Sequence, residues 1–251
     1  LREVNSEVYY FELTEGNDEF YLDFEKLREE LKKNYDLVIL CNPNNPTGSF
    51  VNRENFKELL NDVNFSSTNF FIDEAFIDFI KNGEDLSFKH FESDRVIIIR
   101  AFTKFFGIPG LRLGYSICYN KKWVSTANNL KEPWTINTFA ASCGEFLLNS
   151  NKFIEKTYKT LEKEKNRMLN GLTKIKNIRV FKSESNFLLI KLMEISGTEL
   201  YNKLLEKGFL IRRCENFNFL DDSYVRIAIK DKKSNKNFIK AINKITKNRN
   251  V

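Results

Sequence analysis

Histidine is almost missing from this chain: among 251 residues only His90 carries an imidazole. Most metal centres and most nucleophile–histidine pairs lose their usual ligand or base with it. Cysteine is sparse as well. Cys41, Cys118, Cys143 and Cys214 lie far apart and form no C-x-x-C, which excludes a disulfide scaffold or a zinc site and points to a reduced, intracellular setting. No apolar run approaches the roughly 20 residues that cross a bilayer; residues 37–41 and 96–99 come nearest, so a membrane protein is not expected. Low-complexity linkers and internal repeats are lacking too. The first residue is leucine and no charged-then-apolar leader follows it, so no signal peptide is expected.

What is present is a globular composition, with 42% hydrophobic residues, 29% charged residues and 24 phenylalanines. Forty basic against 34 acidic residues leave a net charge of +6, a mild bias toward anionic partners such as phosphorylated metabolites. Lysine and glutamate alternate along 23–33 and 155–165, as on solvated helix faces; only 230–250 is one-sidedly basic, and nucleic acid is not expected as a partner.

Apolar runs rich in β-branched and aromatic residues alternate with amphipathic stretches, the pattern of an α/β fold with a mainly parallel sheet. Strands are expected at 8–13, 36–41, 69–72, 96–102 and 114–119, and helices at 24–31 and 53–60, the second capped by Asn52. From about residue 149 the pattern changes. A long helix over 153–172 precedes strands at 178–181 and 187–192, a helix from 198 ended by Gly208, strands at 209–212 and 224–229, and a last amphipathic helix. Two units follow, 1–148 and a smaller α/β unit at 149–251, joined by the long helix.

Ligands of open parallel sheets lie beyond the carboxyl ends of the strands, and three loops there carry unusual groups. In Cys41-Asn42-Pro43-Asn44-Asn45-Pro46-Thr47-Gly48, two prolines stiffen a loop able to aim the Asn45 amide, the alternative being an ordinary turn. In Phe70-Phe71-Ile72-Asp73-Glu74-Ala75-Phe76, a carboxylate ends an apolar strand. Such a group needs a cation or strong donor, unless Asp73 simply caps a helix. The third runs from Arg100 to Tyr115, with Thr103, Lys104, Gly107, Gly110, Arg112 and Gly114. Apolar neighbours would desolvate Lys104 and lower its ammonium pKa, as an amine nucleophile requires. Thr103 and Arg112 offer a hydroxyl and a guanidinium to a phosphate. The glycine spacing is not that of a dinucleotide fingerprint.

Taken together and in this order, the three motifs resemble the pyridoxal-phosphate enzymes of fold type I, the class I and II aminotransferases, over about residues 9–229. The resemblance implies pyridoxal 5′-phosphate as cofactor, tethered by Lys104. Asp73 would pair with the pyridine nitrogen, Asn45, with a cis peptide to Pro46, would bond the ring oxygen, and Thr103 and Arg112 would hold the phosphate. Arg226 looks like the arginine that grips a substrate carboxylate; as an isolated observation it reads equally well as a strand-edge surface residue. The segments 132–137 and 209–217 are similar to histidinol-phosphate aminotransferases and, more closely, threonine-phosphate decarboxylases. There an arginine helps bind substrate phosphate, hence Arg212, or Arg213, with Asn186 as a further substrate contact.

The implied protein is a cytoplasmic, homodimeric transferase, with decarboxylation as a further possibility, acting on a small phosphorylated amino acid or amino alcohol. The alternative is a pyridoxal-phosphate-binding effector domain of a transcription regulator. The sequence departs from the family at Phe76, where a tyrosine usually bonds the ring oxygen, and at Ala101, where a phosphate-contacting hydroxyl is common. The family's N-terminal quarter to third, with a phosphate-cradling turn and a ring-stacking aromatic, has no counterpart in these residues.

Overall fold

The computed structural model describes residues 6–62, 65 and 67–247. The outermost parts of the two expected units, 1–5 and 248–251, therefore lie outside the described residues.

The first sheet has the order β3(Leu37–Cys41), β4(Asn69–Asp73), β5(Val96–Ala101) and β6(Gly114–Cys118). The first three strands are parallel and β6 joins antiparallel. Alternation decides what each face meets. Phe70, Ile72, Val96 and Ile98 point to one face, where they are buried with Leu27 and Leu31 of α1(Phe24–Leu31) and Phe56, Leu59 and Leu60 of α2(Arg53–Asn61). Phe56 meets Phe70 and Phe88 edge-on, with centroids 5.2 and 4.9 Å apart. Full burial of each such side chain stabilises the fold by roughly 1.5–3 kcal/mol. The helices start where the sequence indicates: Asp23 caps α1, accepting from the Glu25 and Lys26 amides, and Asn52 caps α2. On the other face Leu37 and Ile39 remain exposed among the described residues.

The second sheet, β7(Ile178–Val180), β8(Phe187–Leu192), β10(Tyr224–Ala228) and β9(Arg212–Arg213), is antiparallel throughout. Leu188, Ile190 and Leu192 of β8 pack on Met168 and Leu172 of α7(Asn151–Leu172), Leu200 and Leu204 of α8(Gly197–Leu205) and Ile242 of α9(Lys232–Lys247). On the reverse side Leu189 joins Phe20, Phe181 and Tyr224. Phe20 belongs to a hairpin of β1(Thr14–Glu15) and β2(Phe20–Tyr21) that precedes the first sheet in the chain yet packs on the second. Glu15 fixes it there, pairing with Arg179 at 2.7 Å and Lys191 at 3.2 Å and accepting from the Tyr224 hydroxyl. The first half of α7 reaches back toward the first sheet, where Leu161 packs with Phe79 and Phe105.

Three expectations need correction. The expected strand at 8–13 does not form: no neighbouring strand satisfies its backbone, and Tyr9 and Tyr10 are exposed. The strand expected at 209–212 contracts to β9, because β10 offers partners only to Arg212 and Arg213. Two helices were not anticipated, α5(Lys121–Leu130), which buries none of its residues, and α6(Thr138–Leu148), which buries only Ala140. Short helices α3(Gly83–Leu86) and α4(Phe102–Phe105), likewise not anticipated, lie beside the first sheet's strands in the chain. Among the described residues no helix is long and apolar enough to cross a membrane, and no group of potential ligands is placed to hold a metal.

Candidate active site

Parallel pairing puts Cys41, Asp73 and Ile99 side by side at the carboxyl ends of β3, β4 and β5. Asn45 and Lys104 therefore sit a few residues past this edge. They face a cleft of about 1300 Å³ whose far wall is the second sheet. Asn45, Asp73, Phe76, Lys104, Asn186, Arg212, Arg213 and Arg226 all line it. Residues separated by more than a hundred positions are thus brought together as expected, with two exceptions. Thr103 is buried beside the cleft, and Arg112, exposed at φ 53°, donates to the Pro109 carbonyl at 3.1 Å; neither is part of the lining. Successive residues of a helical turn point about 100° apart, so Lys104 facing the cleft turns Thr103 away.

The Asn45 loop is held from inside. Asn42 bonds Val51 twice, at 2.8 and 3.0 Å, and Asn44 accepts from the Thr47 hydroxyl at 2.9 Å. Both Asn42–Pro43 and Asn45–Pro46 are cis. Gly48, at φ 73°, lies so close to Ser183 that a Cβ there would collide with its side chain, and its carbonyl accepts the Glu184 amide at 2.8 Å. Lys165 of α7 donates to the Ser183 carbonyl at 2.7 Å, so the segment against which Gly48 packs is held in turn by α7.

Several polar groups on the cleft side are incompletely used. Asp73 is half-buried; its Oδ1 accepts the Ala75 amide at 2.9 Å in a local turn, and no cation meets it among the described residues. It caps no helix, since the short turn that follows begins beyond Phe76 without a side-chain cap. Its charge and burial together push the neighbouring Cys41 thiol up to about 11, burial being the larger cause. Lys104 is exposed in the open cleft, contrary to the desolvation its neighbours suggest: Phe102 and Phe105 are buried on the inner side of the turn, and the Lys104 amine stands 6.0 Å from the Phe76 ring. No hydrogen bond or ion pair ties that amine among the described residues. Phe76 is packed against Phe79 and Phe187, with centroids 6.1 and 5.2 Å away.

Arg226 lies in β10, between β8 and β9, and so is no strand-edge residue. Its guanidinium stacks over Phe187 at 4.9 Å and donates to Asn45 Oδ1. An arginine can only donate, so the Asn45 amide must present Oδ1 to it and keep Nδ2 as a donor for the cleft. Burial, with the nearby Arg212 charge, lowers the Arg226 pKa, and no carboxylate among the described residues relieves it. Arg212, stacked on Phe217 and donating to Asn216 at 2.8 Å, also lacks an acidic partner there. Arg213 differs: it pairs with Glu215 at 2.6 Å and donates to Thr198 at 2.6 Å. Asn186 accepts the Ile229 amide through its carbonyl.

Sequence reasoning missed the residues behind Asp73. Glu74 is fully buried and bonded to Arg100, which is 2% exposed. Twenty-six positions separate them, and only the strand register reveals the pair.

Comparison with known proteins follows this geometry. Residues 1–242 match the family described as aminotransferase class I and II. A protein of Caldanaerobacter subterraneus subsp. tengcongensis, provisionally named a threonine-phosphate decarboxylase, is 37% identical over 94% of this chain and 64% of its own length. The histidinol-phosphate aminotransferase of Methanocaldococcus jannaschii is 30% identical over 96% of this chain and 63% of its own. This chain therefore spans less than two thirds of both relatives. The crystal structure of the histidinol-phosphate aminotransferase from Clostridium acetobutylicum superposes with a TM-score of 0.86 at 40% identity, over 90% of this chain and 68% of that one.

Proposed function

Because this chain belongs to the aminotransferase class I and II family, we propose that it is part of a pyridoxal-phosphate-dependent enzyme that transfers the amino group of, or decarboxylates, a small phosphorylated amino acid or amino alcohol. The observation that carries this reading is the pair Arg226 and Arg212, two guanidiniums without acidic partners among the described residues, facing one cleft with an untethered lysine amine. Uncompensated cations in a cleft call for anionic groups on what enters it.

The residues fit the ring end of the cofactor by their chemistry. An amine without a partner, a carboxylate with an oxygen to spare and an amide donor answer an aldehyde, a ring nitrogen and a phenolic oxygen. When bound, pyridoxal phosphate supplies that aldehyde to an amine and a protonated ring that withdraws electrons from the substrate Cα. Lys104 would hold it covalently, and its amine, once released, would move the proton at Cα. Asp73 would keep the proton on the ring nitrogen, and Asn45 Nδ2 would donate to the ring oxygen, to which Phe76 adds no hydroxyl. Thr103 and Arg112 are the phosphate residues the motif suggests.

Arg226 would grip a carboxylate with its planar fork, and Arg212, with Asn186 near it, a phosphate. Arg213 suits that role less, its charge being met by Glu215. Exposed Trp134, Phe139 and Phe146 support a homodimer in which a partner covers them. The test supplies full-length protein and pyridoxal phosphate with threonine phosphate, or with histidinol phosphate and 2-oxoglutarate. Release of CO₂ or formation of glutamate is expected; absence of both products contradicts the reading.

A further inference from the structure

Asp73 ends β4 and Glu74 follows it with its amide still bonded to β5, so their side chains leave on opposite sides of the sheet. Asp73 faces the cleft. The Glu74 carboxylate enters the covered side, where it accepts from the Ser87 hydroxyl and the Phe88 amide, both at 2.7 Å, and from Arg100 Nε at 3.0 Å. Three donors thus hold one carboxylate that is 0% exposed.

Arg100 belongs to β5, four residues before Lys104, and α4 starts almost at once after it. Its Nη1 also reaches Glu84 at 2.9 Å and Asp78 at 3.6 Å, and Gly114 presses against its carbonyl, where a Cβ would come within 2.7 Å. The Glu74 amide donates to the Ile99 carbonyl at 2.8 Å, continuing the ladder past Asp73. The strand end that delivers Asp73 and the strand end that delivers Lys104 are therefore joined, behind the cleft, by one buried ion pair.

Stability alone accounts poorly for this arrangement. Among the described residues Arg100 Nη2 is buried without a hydrogen-bond partner, and an apolar pair of similar volume is often as stable as a buried ion pair. What an apolar pair lacks is direction: the charge-assisted bond from Arg100 Nε to the Glu74 carboxylate fixes distance and angle between the two strand ends.

We propose that Glu74 and Arg100 are positioning residues, a buried clamp on the reverse of the sheet that sets Asp73 and Lys104 relative to each other. The proposal rests on the reading that these two residues hold pyridoxal phosphate, and the test separates the two claims. Wild-type full-length protein is first titrated with pyridoxal phosphate alone; no visible band there overturns the cofactor reading itself.

Three variants are then compared for cofactor affinity, for the pH midpoint of the visible band and for melting temperature without cofactor. Glu74→Gln sets an amide donor against Arg100; it should weaken cofactor affinity roughly tenfold to a hundredfold and displace the midpoint. Glu74→Gln with Arg100→Met removes both charges; it should recover most of the melting temperature but neither the affinity nor the midpoint. Ser87→Ala leaves no charge unpaired and decides the matter if the others do not fold, with a smaller loss in the same direction. A wild-type affinity and midpoint in the variants that fold, whatever their melting temperatures, would overturn the proposal.

Discussion

The two sides of the β4–β5 strand pair treat charge in opposite ways. Behind the sheet, Glu74 and Arg100 are buried and bonded, with Asp78 and Glu84 gathered around the guanidinium. On the cleft side, Asp73, Lys104 and Arg226 line the same cleft yet have no ion pairs among the described residues. Burial makes an unmatched charge costly, so the fold matches the charges it encloses. The charges it leaves unmatched are those a ligand can meet.

The most severe test of that contrast is Arg226→Met. With the carboxylate grip removed, the Michaelis constant should rise about a hundredfold, the loss expected for a charge-assisted, two-pronged contact. Unfolding free energy should change by no more than about 0.5 kcal/mol, since no carboxylate loses its partner. Arg212→Met should cost about tenfold, and Arg213→Met less than about threefold, because its charge is already met by Glu215. A large stability loss in Arg226→Met would break the contrast.

A middle-sized effect belongs to the enclosed side. Burial, opposed by Arg100 and reinforced by Glu84 and Glu74, pushes the Asp78 carboxyl up from 3.8 to about 6. A carboxyl raised on folding stabilises the fold when protonated. That contribution is complete below about pH 3.8 and is lost as pH rises through about 6. Asp78→Asn, neutral throughout, should therefore exceed wild type by roughly 1–2 kcal/mol above pH 6 and match it in acid. Denaturant unfolding at pH 7.5 and pH 4 measures this, and equal stabilities at pH 7.5 would contradict it.

The smallest effect is on the cleft side. Phe76→Tyr adds one hydroxyl donor near the ring oxygen and should lower the pH midpoint of the visible band by about one unit, as one hydrogen bond to a charged group would. An unchanged midpoint would mean that residue 76 does not reach that oxygen.

Much of this contrast was legible in the sequence, though not evenly. Strands β4, β5 and β8 and helices α1, α2 and α7 follow from apolar periodicity and caps; the motif order pointed to one site for Asn45, Asp73 and Lys104, and Arg226 entered only through the family resemblance. The segment 8–13 has a strand's composition but no neighbour to bond. Helix α6 is apolar almost all round, so the period that betrays a helix is weak in it, whereas α5 carries an amphipathic period yet buries none of its residues. Lys104 was expected to be enclosed by its apolar neighbours, yet those rings turn inward and leave it exposed. Glu74 and Arg100 gave no signal, because a buried ion pair between neighbouring strands is a property of register, not of local sequence.

The most direct test of the account is chemical. Full-length protein mixed with pyridoxal phosphate, reduced with borohydride and digested should carry the cofactor on one peptide, at Lys104. Absence of any label, or a label on another lysine with Lys104 unmodified, would contradict the account at its root.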